Sequence, residues 1–179
     1  MFSGTTPIAT ASWKGWVLSC KHPLRRVTLG HLIPNHFHLL LKTGLEPIAT
    51  VMRRLLTGYA VTFNRRHHRC SRLFQNRYKS ILCQEETYFL ELVRYIHLNP
   101  IRAGIVKDID SLEHHAFAGH SRIVGKHANA WQDVDSVLGH FGRPRDLIRK
   151  RYREFVEKGI EKSRDPLLTG GGLLRSVGG

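Results

Sequence analysis

Between residues 26 and 42 the chain alternates. Val27, Leu29, His31 and Ile33 are spaced by polar or small residues, Pro34-Asn35 supplies turn chemistry, and Phe37, Leu39 and Leu41 then alternate with His36, His38 and Leu40. Successive side chains of a strand point to opposite faces. The pattern therefore predicts a hairpin whose second arm turns Phe37, Leu39 and Leu41 toward a core and presents His36 and His38 together on the other face. From residue 46 to about 66 the period changes. Ile48, Val51, Met52, Leu55, Tyr59, Thr62 and Phe63 recur at three- and four-residue spacing, with Pro47 in the first turn, which predicts a helix. A second helix is predicted over residues 85–99, with Phe89, Leu92, Val93 and Ile96 as its buried stripe and Pro100 as its stop. Tyr95 and Asn99 are four apart and fall on one face of it.

The remaining stretches carry weaker patterns. Residues 1–25, punctuated by Pro7, Gly15 and Pro23, read as irregular. Residues 111–130 are rich in histidine, glycine and serine without a period and read as a long surface segment. A short helix is expected within residues 131–141. Pro144 then opens a basic helix over roughly 145–162, with Ile148, Tyr152, Phe155, Val156 and Ile160 inside, before a glycine-rich and flexible tail.

Charge changes the picture more than composition does. The 179 residues include 28 Lys plus Arg against 14 Asp plus Glu, a net charge of +14, which attracts polyanions and nucleic acid first among them. Cys20, Cys70 and Cys83 are scattered and odd in number, which argues against a disulfide framework or a structural zinc site and for a reducing compartment. No apolar run is long enough to span a membrane, so a cytoplasmic protein with no membrane partner is expected. Arg53, Arg54, Arg65 and Arg66 on the first helix read equally as a solvated face or as contacts to a DNA backbone. Arg77 and Lys79 would point the same way in an extended segment and suit a row of phosphates. Tyr78 between them is a candidate for stacking on a base. Tyr59, Tyr88 and Tyr152 fall on apolar helix faces and read as core, and His97 reads as a local hydrogen-bonding residue.

Two imidazoles spaced as His36 and His38 can grip one divalent ion, although a bare His-x-His is more often a half-buried strand with two solvated histidines. Three blocks together shift that balance: Pro34-Asn-His-Phe-His-Leu-Leu-Leu41, Phe74-Gln-Asn-Arg-Tyr-Lys-Ser80 and Arg94-Tyr-Ile-His-Leu-Asn-Pro-Ile-Arg-Ala-Gly-Ile-Val106. In order and rough spacing they resemble the REP-associated tyrosine transposases, relatives of the bacterial single-tyrosine HUH transposases. The resemblance covers residues 32–106 well and reaches more loosely toward the C-terminus.

The resemblance implies an α+β fold: a central antiparallel sheet with the histidine pair on a middle strand and helices packed on one face. It implies His36, His38 and Asn99 as ligands of Mg2+ or Mn2+, and Tyr95 as the nucleophile of a single-stranded DNA transposase or endonuclease. The product would be a 5′-phosphotyrosyl intermediate and a free 3′-OH. Single-stranded or hairpin DNA would be the partner of a monomer or homodimer. Arg53, Arg54, Arg65, Arg66, Arg77, Tyr78, Lys79 and Arg94 are the expected DNA contacts. The division expected is an irregular segment 1–25, a catalytic core 26–110 and a C-terminal helical extension 111–179. The family's first strand and helix have no counterpart in residues 1–30, so an incomplete first strand and a chain truncated at its N-terminus, and also at its glycine-rich C-terminus, are expected. The alternative is a non-catalytic DNA-binding remnant of such a transposase. An RNA-binding or ribosomal protein would explain the charge but not the three blocks.

Overall fold

The hairpin forms as its alternation predicts. In the computed structural model, which describes residues 26–32, 37–42, 44–75, 77–80, 86–128 and 132–161, β1 (Arg26–Leu32) pairs antiparallel with β2 (Phe37–Lys42). The register matches Leu32 with Phe37 and His31 with His38, and an irregularity between Val27 and Leu29 shifts the pairing near the open end. His36, the irregular segment 1–25 and the glycine-rich tail lie outside the described residues.

Six α-helices follow among the described residues: α1 (Ile48–Arg66), α2 (Glu86–Arg102), α3 (Ile109–Glu113), α4 (Gly119–Ile123), α5 (Val134–Leu138) and α6 (Arg145–Glu157), with a 3-10 turn at Gly139–Phe141. Helix therefore dominates and strand is scarce.

The two faces of β2 bury against different partners. Phe37, Leu39 and Leu41 pack with Met52, Leu55, Ile48 and Tyr59 of α1, while Leu40 joins a larger cluster centred on α2. Helices thus flank the hairpin on both faces, which corrects the expectation of helices on one face only. The reason lies in β2 itself: its second face is not a polar row but carries Leu40 beside His38, so it too needs a cover.

The larger core draws on both sides of residue 110. Val93, Ile96 and Leu98 of α2 pack with Ile109, Leu112, Ala118, Ile123, Val137, Tyr152 and Val156. One core therefore runs through the boundary expected at residue 110, and the supposed surface segment 111–130 supplies buried side chains. Its helices α3 and α4 have five residues each, too short to display a 3.6-residue period. Local caps set the starts of α3 and α5. The Asp108 carboxylate accepts from Ser111 N–H at 2.7 Å, and the Asp133 carboxylate accepts from Ser136 N–H at 3.2 Å.

Helix α2 passes through Pro100 and ends two residues later. Gly104, at φ +68, donates to the Ile101 carbonyl at 3.0 Å, and Ile105 donates to the Pro100 carbonyl at 2.9 Å. This six-to-one and five-to-two pairing is a Schellman stop, and its left-handed residue favours glycine. Glycine outweighs proline as the terminator here, and the longer helix brings Arg102 into the last turn.

Candidate active site

Helix α2 is covered on most sides. Val93, Arg94, Ile96, His97 and Leu98 are buried, and Tyr95, Asn99 and Arg102 are half-buried. At about 100° per residue, positions 95, 99 and 102 fall on one narrow face of the helix, so Tyr95, Asn99 and Arg102 form a row. His97 turns about 200° away from Tyr95.

The row meets β2. The rings of His38 and Tyr95 stand edge to face, with centroids 6.1 Å apart and planes at 81°. A residue from the hairpin and one from α2, 57 positions apart, thus share one spot. The guanidinium carbon of Arg102 lies 5.7 Å from the centroid of the Tyr95 ring. Asn99 adds a side-chain nitrogen that is buried and has no hydrogen-bond partner among the described residues. Turning that amide about its Cβ–Cγ bond brings the carbonyl oxygen to the same place, so one side chain can offer a donor or an acceptor there.

Three of the four residues expected to carry chemistry, His38, Tyr95 and Asn99, are therefore placed by two adjacent elements; His36 lies outside the described residues. Among the described residues no group of three or more His, Cys, Asp or Glu stands together.

His97 faces the opposite way. Its Nδ1 lies 2.7 Å from the Tyr152 hydroxyl, which lies 2.9 Å from Nδ1 of His120. All three side chains are fully buried. His97 is indeed a hydrogen-bonding residue, but its partner comes from α6, 55 positions away, and not from its own helix. Burial pushes the Tyr152 hydroxyl well above its ordinary pKa and takes His120 down to about 3, with the Arg153 charge adding to the latter.

The expected DNA contacts divide into two groups. Arg53, Arg54, Arg65 and Arg66 are exposed along α1, and Arg77 and Lys79 are exposed in the segment after it. Arg54 is ion-paired to Glu46 at 2.5 Å. Tyr78 is half-buried and packs against the Met52–Leu55 cluster. Arg94, by contrast, is not on the surface. It is 7% exposed, ion-paired with Glu91, and its guanidinium carbon lies 4.7 Å from the Phe155 ring centroid. A charge at the α2–α6 junction can be buried because it is both paired and stacked.

Two positions escaped the sequence reading. The register sets His31 opposite His38 across the hairpin, and pairing of this kind is invisible before the strands are aligned. Arg102 stands seven residues after Tyr95, a spacing that already places both on one helix face; the proline between them hid it.

No protein-family model, no curated protein and no solved structure matches the chain. No helix among the described residues is long and apolar enough to cross a membrane.

Proposed function

We propose that the protein is a metal-dependent tyrosine transposase or nickase acting on single-stranded or hairpin DNA, with Tyr95 as its nucleophile. The observation that carries this reading is the contact between His38 and Tyr95, with Asn99 one helical turn further along the same face. Those are the residues to which the family resemblance assigns metal binding and nucleophilic attack. On this reading the β1–β2 hairpin is the middle of a larger antiparallel sheet.

The chemistry asks little of the chain beyond placement. The Tyr95 oxygen attacks phosphorus in line, the P–O3′ bond breaks, and the 3′ oxygen leaves and takes up a proton while the phenol's proton passes to water. The 5′ phosphate is then esterified to Tyr95. The link keeps the energy of the phosphodiester, so a second 3′-OH can attack it, reseal the strand and return the tyrosine without a nucleotide cofactor. His38, Asn99 and, outside the described residues, His36 would hold Mg2+ or Mn2+, which supplies charge stabilisation and orientation for the phosphoryl group. The edge-to-face packing of Tyr95 on His38 fixes the phenol's direction, and α2 sets nucleophile and amide in one frame.

The exposed arginines of α1 with Arg77 and Lys79 would receive the DNA backbone. The cytoplasm, where such DNA is accessible, and a monomer or homodimer complete the proposal.

The test is a cleavage assay on a panel of hairpin-bearing single-stranded oligonucleotides with Mn2+ or Mg2+, read as a covalent protein–DNA adduct on a denaturing gel. The adduct is expected from the wild-type chain and absent from Tyr95→Phe, from His38→Ala and after chelation. Salt-sensitive DNA binding without any adduct, from a folded protein, would favour the DNA-binding remnant.

A further inference from the structure

We propose that the face of α6 carrying Arg149, Lys150 and Arg151 is a second DNA-binding surface, one that takes the sugar–phosphate backbone of a duplex. The inference borrows only the polymer, DNA, from the proposed function and needs no cleavage at Tyr95. It lies outside the contacts that the family resemblance implies, which fall on α1, on residues 77–79 and on Arg94.

Three consecutive cations span the helix. At about 100° per residue they wrap roughly 200° of it, and all three are exposed, while Ile148, Tyr152 and Val156 fill the inner side. Helix polarity does not account for them. A helix dipole favours cations in the last turn, and none of the basic residues of α6 stands there.

The two outer arginines are seated on backbone. Gly125 has φ +88 and Gly142 has φ +89, a conformation that glycine adopts readily and other residues rarely do. A Cβ at Gly125 would collide with the guanidinium of Arg149, and one at Gly142 would press on that of Arg151. Arg151 also donates from Nη1 to the Phe141 carbonyl at 3.1 Å. Lys126 follows the first glycine and Arg143 follows the second, both exposed, so the basic band continues onto each flank.

The acids nearby do not neutralise the band. Arg153, on the same helix, pairs with Asp110, Glu113 and Glu157 and so gathers them to itself. Arg149, Lys150 and Arg151 form no ion pair among the described residues, and the exposed Glu154 pairs with none of them. A guanidinium with one N–H on a carbonyl keeps others for a phosphate.

Seating argues for a duplex. Cations already held in place lose little freedom on binding, and they match a partner whose phosphates are themselves fixed in spacing. A flexible single strand can follow free side chains equally well. Helix α6 belongs to the cluster around α2, whereas α1 packs beneath β2, so this band is a surface apart from the α1 arginines. The plainer reading is a solvated basic face, whose loss would leave DNA binding unchanged.

The test measures binding of the full chain to a blunt DNA duplex and to an oligothymidylate, by fluorescence anisotropy across a salt series without divalent metal. Arg149→Ala with Arg151→Ala should lower the log–log salt slope for the duplex by about 1.8, at about 0.9 per contact, and leave the single-strand slope as in wild type. Lys150→Glu, which keeps both seated arginines, should weaken duplex binding with the same selectivity. Unfolding midpoints in urea should match wild type for both variants; if the double substitution unfolds the chain, Lys150→Glu alone decides. A duplex slope and affinity unchanged in the variants, an equal fall for duplex and single strand, or a loss confined to an RNA duplex of the same sequence overturns the inference. No adduct is read here, so such a failure leaves the Tyr95 reading standing, and a chain that forms no adduct can still bind a duplex through this face.

Discussion

The Tyr152 hydroxyl lies 2.7 Å from Nδ1 of His97, which bonds α6 to the helix that carries Tyr95. The same hydroxyl reaches Nδ1 of His120 at 2.9 Å. One hydroxyl donates once and accepts as well, so one ring nitrogen receives its proton and the other donates to its oxygen. Tyr152→Phe keeps the ring and leaves two buried imidazole nitrogens without that partner. Unfolding in urea should show a loss of about 1–3 kcal/mol; stability equal to wild type would mean that the three groups are not bonded as drawn.

The pH dependence follows from His120, whose pKa falls to about 3 from an ordinary 6.5 because burial disfavours the charged ring. Below about 6.5 the unfolded chain takes up a proton that the folded chain refuses until about pH 3, so this contribution to stability is lost as pH falls through that window. His115, lowered by burial and by His127, acts in the same direction. The unfolding free energy from urea titrations should decline on acidification from neutral pH toward pH ~4, with His120 contributing up to about 1.4 kcal/mol per pH unit. A level profile across that range would contradict a neutral, buried His120.

Ile123 has 0% of its surface exposed and packs in the cluster centred on α2. Ile123→Ala should therefore cost about 2–5 kcal/mol in a single cooperative transition. A change near zero, or a separate early transition, would restore the picture of residues 111–179 as an appendage.

These elements show what the sequence made legible and what it concealed. The alternation of β2 and the four-residue step from Tyr95 to Asn99 are local regularities and could be read directly. The meeting of His38 with Tyr95 depends on how hairpin and helix pack, and only a family resemblance pointed to it. Helices α3 and α4 are too short for a period, so their burial was invisible. Arg94 looked like a surface cation because arginine usually is one; Glu91 and Phe155, each contributed by packing, make it an exception. Pro100 looked like a stop because its ring disfavours α geometry in the residue before it, yet the Gly104 turn sets the end.

The exposed α1 arginines carry a binding prediction. Arg65 and Arg66 are both exposed at the end of α1. If each neutralises one phosphate, the double substitution Arg65→Ala with Arg66→Ala should lower the log–log salt slope of single-strand binding by about 1.4, at about 0.7 per contact. Affinity should fall alike for unrelated sequences, because backbone contacts carry no sequence information. An unchanged slope would move the DNA path elsewhere.

The most direct measurement is to map the covalent adduct. The protein–DNA product formed with Mn2+ would be digested with protease and nuclease, and the peptide carrying the residual nucleotide sequenced by mass spectrometry. The account predicts a nucleotide joined through its 5′ phosphate to Tyr95. A nucleotide on another tyrosine such as Tyr78 or Tyr88, or cleaved DNA with no protein-linked nucleotide, would contradict it.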